Sequence, residues 1–177
     1  MGTWNTRGLR GSTLEELINH TNDSYREKKL ALIQKIPTPI TPIEIAKESR
    51  HITLAYFDKK STVDYIGAVQ GIPVCFDAKE CAVKTFPLQN IHPHQIEFMK
   101  EFEEQGGISF IILSFTSLDE IYYVPFSHIF AFWNRMVDGG RKSFTYEEVD
   151  KSWRIFSKKD MFIHYLEMVQ KDLDERD

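Results

Sequence analysis

Cysteine is scarce in this chain. Two residues, Cys75 and Cys81, stand among 177. That is too few for a disulfide framework, and their spacing matches no zinc signature, so both are expected to be reduced and structural. Long apolar runs are absent as well. Nothing approaches the roughly 18–20 apolar residues that cross a bilayer, and no membrane partner is expected. Met1-Gly2-Thr3-Trp4 lacks the charged-then-apolar pattern of a signal peptide, which leaves a cytoplasmic protein as the expectation. There is no internal repeat and no low-complexity linker. Nor is there an excess of positive charge. The net charge of −4 counts weakly against a nucleic-acid partner. The sum hides its distribution, however. Acids cluster in Glu101-Phe102-Glu103-Glu104 and Asp172-Leu173-Asp174-Glu175, whereas bases pair up at Arg7 and Arg10, Lys28 and Lys29, Lys59 and Lys60, and Lys79 and Lys84.

The 42% hydrophobic and 27% charged content excludes a disordered chain, and the length suits a single domain over residues 1–177 with a real core. Thr13 and Glu16 form a capping-box pattern ahead of Leu14, Leu17, Ile18 and Tyr25, which predicts a helix over about 12–28. Leu30 to Ile36 reads as strand. Pro37, Pro39 and Pro42 then interrupt regular structure and predict a protrusion, a stalk insertion at about 37–55. Strands follow at 51–57, 62–69 and 72–80, with a turn at Gly71. Pro93 opens a helix that Gly106-Gly107 stops. The apolar run Ile108–Phe115 reads as a buried central strand, Ile121–Val124 as another, and helices are predicted near 127–136 and 158–172. This order predicts an α/β fold, a mixed sheet flanked by helices.

The chemistry concentrates in Thr62-Val63-Asp64-Tyr65 and Phe76-Asp77-Ala78-Lys79-Glu80. If Gln70 and Gly71 form the turn, opposed residues have numbers summing to 141. Asp64 then faces Asp77, and Thr62 faces Lys79. Opposed residues share a face, so the four form a square on one side of a hairpin, with facing Cβ atoms about 4.5–5.5 Å apart. Two facing carboxylates repel each other, and a divalent cation between them removes the repulsion. Mg²⁺ favours such an oxygen set. Beside it, Lys79 supplies a positive charge for a phosphoryl transition state. The bland reading is an exposed ion pair worth about 0–1 kcal/mol.

The flanking residues shift the balance. The chain resembles the RecU family of Holliday junction resolvases over about residues 8–165. The resemblance rests on Arg10-Gly11-Ser12-Thr13-Leu14-Glu15, Lys35-Ile36-Pro37-Thr38-Pro39, Ala55-Tyr56-Phe57, Thr62-Val63-Asp64-Tyr65 and Phe76-Asp77-Ala78-Lys79-Glu80. It continues through Thr85-Phe86-Pro87-Leu88-Gln89-Asn90, His94-Gln95-Ile96-Glu97 and Gly140-Arg141-Lys142-Ser143. The resemblance implies a restriction-endonuclease-like fold with a protruding stalk, a homodimer, a four-way DNA junction as substrate and Mg²⁺ (or Mn²⁺) as cofactor. It implies Thr62, Asp64, Asp77 and Gln95 as metal ligands and Lys79 as transition-state stabiliser, which makes Asp64, Asp77 and Lys79 the catalytic set. A recombinase partner is a further implication. Asp77 departs from the family's usual Glu by one methylene, and the stalk is a few residues shorter than in cellular relatives.

Candidate DNA contacts are Arg10, able to hold a phosphate before the first helix, with Lys59, Lys60 and Lys84. Glu15 and Glu16 are read as helix-start residues, with a supporting place beside the site open to them. His92-Pro93-His94 suits a helix start better than a metal pair. Phe130, Phe132 and Trp133 are read as core or dimer surface. Two other functions compete: a different restriction-like or flap DNA endonuclease, and a non-catalytic DNA-binding module that modulates a recombinase. The second gains nothing from two acids facing phosphate.

Overall fold

Thr13 starts the fold by closing the end of a helix. Its hydroxyl accepts the Glu16 N–H, and the Glu16 carboxylate accepts the Thr13 N–H, so two donors of the first turn are satisfied reciprocally. The computed structural model describes residues 13–57 and 62–176. Helix α1 runs Leu14–Glu27. It ends where Lys29 takes a positive φ of 56° and Leu30 N–H returns to the Tyr25 carbonyl.

Strands β1 (Ala31–Lys35), β4 (Tyr65–Val69), β5 (Ile72–Cys81), β7 (Ile108–Phe115) and β8 (Glu120–Pro125) build one sheet in the order β1-β4-β5-β7-β8. Only β5 and β7 are parallel. Their crossover holds helix α2 (Pro93–Glu104). Pro93, in the first turn, gives up an N–H that has no partner within the helix anyway. An aromatic ladder crosses the sheet on the α1 side, from Tyr65 to Phe76, Phe110, Tyr123 and Trp153, with centroids 4.2–5.4 Å apart. On the other face, Cys75, Ile111, Leu113 and Val124 pack with Ile96 and Met99 of α2 and Ile129 of α3 (Phe126–Val137). The mixed α/β sheet flanked by helices is therefore as expected.

The segment expected to be a stalk is more regular than its prolines suggested. Strands β2 (Ile40–Ile45) and β3 (Ile52–Phe57) pair as a separate two-stranded sheet. Pro42 is accommodated because the register shifts between Pro42 and Glu44. Ile40, Ile43, Ile45, Ile52, Leu54 and Tyr56 are all about half exposed on this hairpin.

The last predicted helix needs correction. Helix α4 spans Leu166–Asp174, not 158–172. Residues before it are captured by α1 in another geometry. Ile163 N–H donates to the Thr21 hydroxyl, the Ser24 hydroxyl donates to the Asp160 carbonyl, and the Tyr165 hydroxyl donates to Asn22. Helical patterning could not foresee these bonds. A short ribbon of β6 (Thr85–Pro87) and β9 (Ser143–Thr145) was also not foreseen. Cys75 and Cys81 are free and buried, as expected.

Candidate functional site

The hairpin turn is at Gln70-Gly71, with φ of 51° and 92°, the left-handed pair that a two-residue turn requires. Tyr65 accordingly pairs with Phe76, and every pair of the β4–β5 ladder sums to 141. On β5 the residues 74 and 76 face α1, so 75, 77 and 79 face α2.

The ladder stops at Tyr65. One residue earlier, Asp64 N–H donates to Asp77 Oδ1 (2.9 Å) and not to a backbone carbonyl. In return, Ala78 N–H donates to Asp64 Oδ2 (3.0 Å). The two carboxylates thus replace the next rung of the sheet, each bound to the other's strand. This shortens the predicted strand 62–69 to 65–69. Thr62 lies in a bend before it, half-buried, and strand parity no longer places Thr62 opposite Lys79.

Asp77 is completely buried. Its Oδ2 receives Lys79 Nζ at 2.8 Å and the side-chain amide of Gln95. Gln95 is itself fixed, since its oxygen accepts the His92 N–H (3.0 Å) in the capping box of α2. In this geometry Gln95 orients Asp77 with its nitrogen and spends its oxygen on the helix cap. Asp64 is half-buried. Burial, then the charge of Asp77, then a smaller contribution from Glu15, push its carboxyl up to about 6, against the Ala78 N–H and Lys79. Two acids here face one lysine, and the ionised pair is uncomfortable without a cation.

That observation is the test of fit for a divalent ion. Asp64, Asp77, the Thr62 hydroxyl and the Gln95 amide oxygen are all hard oxygen donors, the set Mg²⁺ prefers. Among the described residues no group of three or more His, Cys, Asp or Glu side chains could hold a metal, so any ion here relies on two acids and neutral oxygens.

Sequence left a supporting place beside the site open to Glu15 but did not single out Lys35 or Asn19. Lys35, at the end of β1, pairs with Glu15 in the first turn of α1, and Tyr65 donates to Asn19 of that helix (2.9 Å). The signal was present in Lys35-Ile36-Pro37 and in Glu15, but only the fold puts them beside Asp64. Arg10, Lys59 and Lys60 lie outside the described residues. Lys84 is exposed between β5 and β6, with its ammonium 5.8 Å from the Tyr146 ring centroid.

The model of the family "Recombination protein U" (RecU) matches residues 9–171. The chain belongs to the RecU family. A relative described as Holliday junction resolvase RecU, from Bacillus cereus (strain B4264), is 44% identical over 156 residues, covering 86% of this chain and 78% of the relative. Another of the same description, from Bacillus thuringiensis (strain Al Hakam), is 45% identical over 148 residues, covering 81% of this chain and 74% of the relative. A solved structure, the Holliday junction resolvase Hjc from Archaeoglobus fulgidus, overlaps 63% of this chain and 78% of its own, with a TM-score of 0.36 and 8% identity. That overlap is too loose to bear on the site. The motifs that carried the resemblance to RecU all lie within the matched span. No helix among the described residues is long and apolar enough to cross a membrane.

Proposed function

We propose that this RecU-family chain is an endonuclease that resolves four-way DNA junctions by Mg²⁺-dependent phosphodiester hydrolysis. The observation that carries the reading is the exchange of hydrogen bonds between Asp64 and Asp77, with Lys79 on the same acid. An ordinary surface ion pair does not bury one carboxylate completely and raise the carboxyl of its neighbour.

Asp64 and Asp77 would hold the ion, with Thr62 and Gln95 as further oxygen donors. When bound, Mg²⁺ (or Mn²⁺) supplies stabilisation of charge on the phosphoryl oxygens. For Gln95 to offer its oxygen, the amide must turn away from the cap at His92. Otherwise its role is the one seen here, holding Asp77 in place. Lys79, with its side chain 18% exposed, can reach from Asp77 to a phosphate oxygen and stabilise charge developing there. The β2–β3 hairpin is the stalk that enters the junction. A homodimer supplies two such sites for paired nicks, and the protein works in the cytoplasm, with a recombinase as partner.

The test is cleavage of a mobile four-way junction by purified protein with Mg²⁺, beside an Asp64→Asn variant. Paired nicks by the wild type and an inactive, junction-binding variant are expected. Junctions left intact at every concentration with either Mg²⁺ or Mn²⁺ would end the catalytic reading. Equal cutting of junction, linear duplex and flap would favour a less selective nuclease on the same fold.

A further inference from the structure

The segment Gly140-Arg141-Lys142-Ser143 has no contact with the acids, yet it is held in place by several independent bonds. Gly140 N–H donates to the Arg135 carbonyl (2.8 Å), and a Cβ at 140 would meet that same oxygen at 2.6 Å, so only glycine lets the chain fold back on α3. The Arg135 guanidinium donates to the Ser143 carbonyl (2.8 Å) and to Glu148 (2.5 Å). Glu148 in turn accepts the Thr145 N–H (2.9 Å) and pairs with Arg141 (3.3 Å). The Lys142 carbonyl accepts the Leu88 N–H (3.0 Å), and Phe144 stacks on Phe132 while tilting against Phe86. The turn is therefore fixed to the stretch 88–95, which ends at Gln95 and its bond to Asp77.

This framework presents one uncommitted charge. Arg141 is engaged by Glu148, but the Lys142 ammonium is exposed, with no ion pair or hydrogen bond among the described residues. At the other end of the β6–β9 ribbon, the Lys84 carbonyl accepts the Tyr146 N–H (2.7 Å), and the exposed Lys84 side chain lies near Glu147. Lys84 and Leu88, the residue bonded to Lys142, are four positions apart, about 13 Å along an extended strand. One DNA strand presents a phosphate about every 3.4 Å of helix axis, so the ribbon spans roughly four of them.

We propose that Lys142 is a DNA-backbone contact which, with Lys84 at the far end of the ribbon, sets the register of the strand against Asp77. It acts as a positioning residue, and it rests on the reading that DNA is the substrate. A lysine on a loose loop adds only diffuse attraction. The backbone of Lys142 is instead bonded, at the start of the ribbon, to the segment that orients the buried acid, so its charge stays within one side chain's reach of a fixed point relative to the site.

The experiment is fluorescence anisotropy of a labelled four-way junction with the full chain, in EDTA, from 50 to 200 mM salt. Lys142→Gln is expected to weaken binding about threefold to tenfold and to reduce the slope of log K against log salt by about 0.9. Lys142→Arg should restore both. Lys100→Gln, which removes an exposed charge from α2, should change neither. Wild-type affinity and slope in Lys142→Gln would overturn the proposal, as would an equal loss in Lys100→Gln. If the wild type itself binds no junction, the proposed function fails, and that outcome is distinct. Unchanged melting of Lys142→Gln separates lost contact from lost fold.

Discussion

At the scale of single residues, the proposed function and stability oppose each other at Asp64. Its carboxyl is raised to about 6, chiefly by burial and the charge of Asp77. The unfolded chain therefore gives up this proton at lower pH than the folded one, near the ordinary value of about 3.9. Between those values the folded state binds more protons, so stability falls as pH rises through that window and stays low above it. Asp64→Asn is expected to stabilise the metal-free protein at pH 8 by about 1–2 kcal/mol, after allowing for solvent access, with little effect at pH 4. Paired thermal melts at the two pH values check it; a variant that melts lower at pH 8 contradicts it. Mg²⁺ should raise the melting temperature of the wild type, and EDTA should abolish that rise, whereas Asp64→Asn should respond to neither. Lys79→Met should lower junction cleavage by about 10²–10³ while junction binding persists, as measured by single-turnover kinetics and anisotropy. The meeting of Asp64, Asp77 and Lys79 was legible because Gln70-Gly71 fixes the register and a strand has period two. The part played by Gln95 in orienting Asp77 was not, since it reaches in from a different element and no spacing along the chain predicts that approach. The reach of Lys35 to Glu15 at the site was hidden for the same reason.

At the scale of elements, local patterns succeeded wherever a segment's neighbours are its own backbone or one apolar face. The cap at Thr13, the run Ile108–Phe115 and the Pro93 helix are of this kind. They failed at 158–165, where side chains of α1 supply hydrogen bonds that a helix would otherwise take from itself. His164 belongs to that junction. Its ring nitrogen lies 2.9 Å from the Tyr25 hydroxyl, and burial holds its pKa below the ordinary value. Here the unfolded state is the one that binds more protons on acidification, so this stability is present at neutral pH and is lost as pH falls below about 6.5. Urea unfolding of the wild type at pH 7.5 and 5.5 should show the loss, and His164→Gln should flatten it. Equal pH dependence in both proteins would rule His164 out as the source. The sheet has a comparable tight point at Gly67 in β4, where a Cβ would lie 2.1 Å from the Leu32 carbonyl oxygen. Gly67→Ala must push β1 away, and a destabilisation of about 2–4 kcal/mol is expected from chemical unfolding.

At the scale of the whole molecule, the five-stranded body and the β2–β3 hairpin are built on different terms. The body buries its aromatic ladder, whereas the β2–β3 hairpin leaves six large apolar side chains about half exposed. An exposed hydrophobic hairpin normally invites strand pairing with other chains. Pro37, Pro39 and Pro42 lack the N–H groups that such pairing needs, and the shifted register after Pro42 bends the edge. The prolines that sequence alone read as breaking structure instead suit an isolated hairpin. Apolar surface retained in this way has to be explained by a partner, and under the proposed function that partner is the open centre of a four-way junction, where base pairs end and expose their faces. Leu54→Gln combined with Tyr56→Gln should then leave stability within about 0.5 kcal/mol of the wild type, because both side chains already face solvent. Cleavage in competition between junction and linear duplex should lose at least about fivefold in selectivity, through the junction rate alone. If selectivity is unchanged in a variant that still melts like the wild type, the hairpin has no part in recognising the junction, and discrimination must come from the rest of the chain.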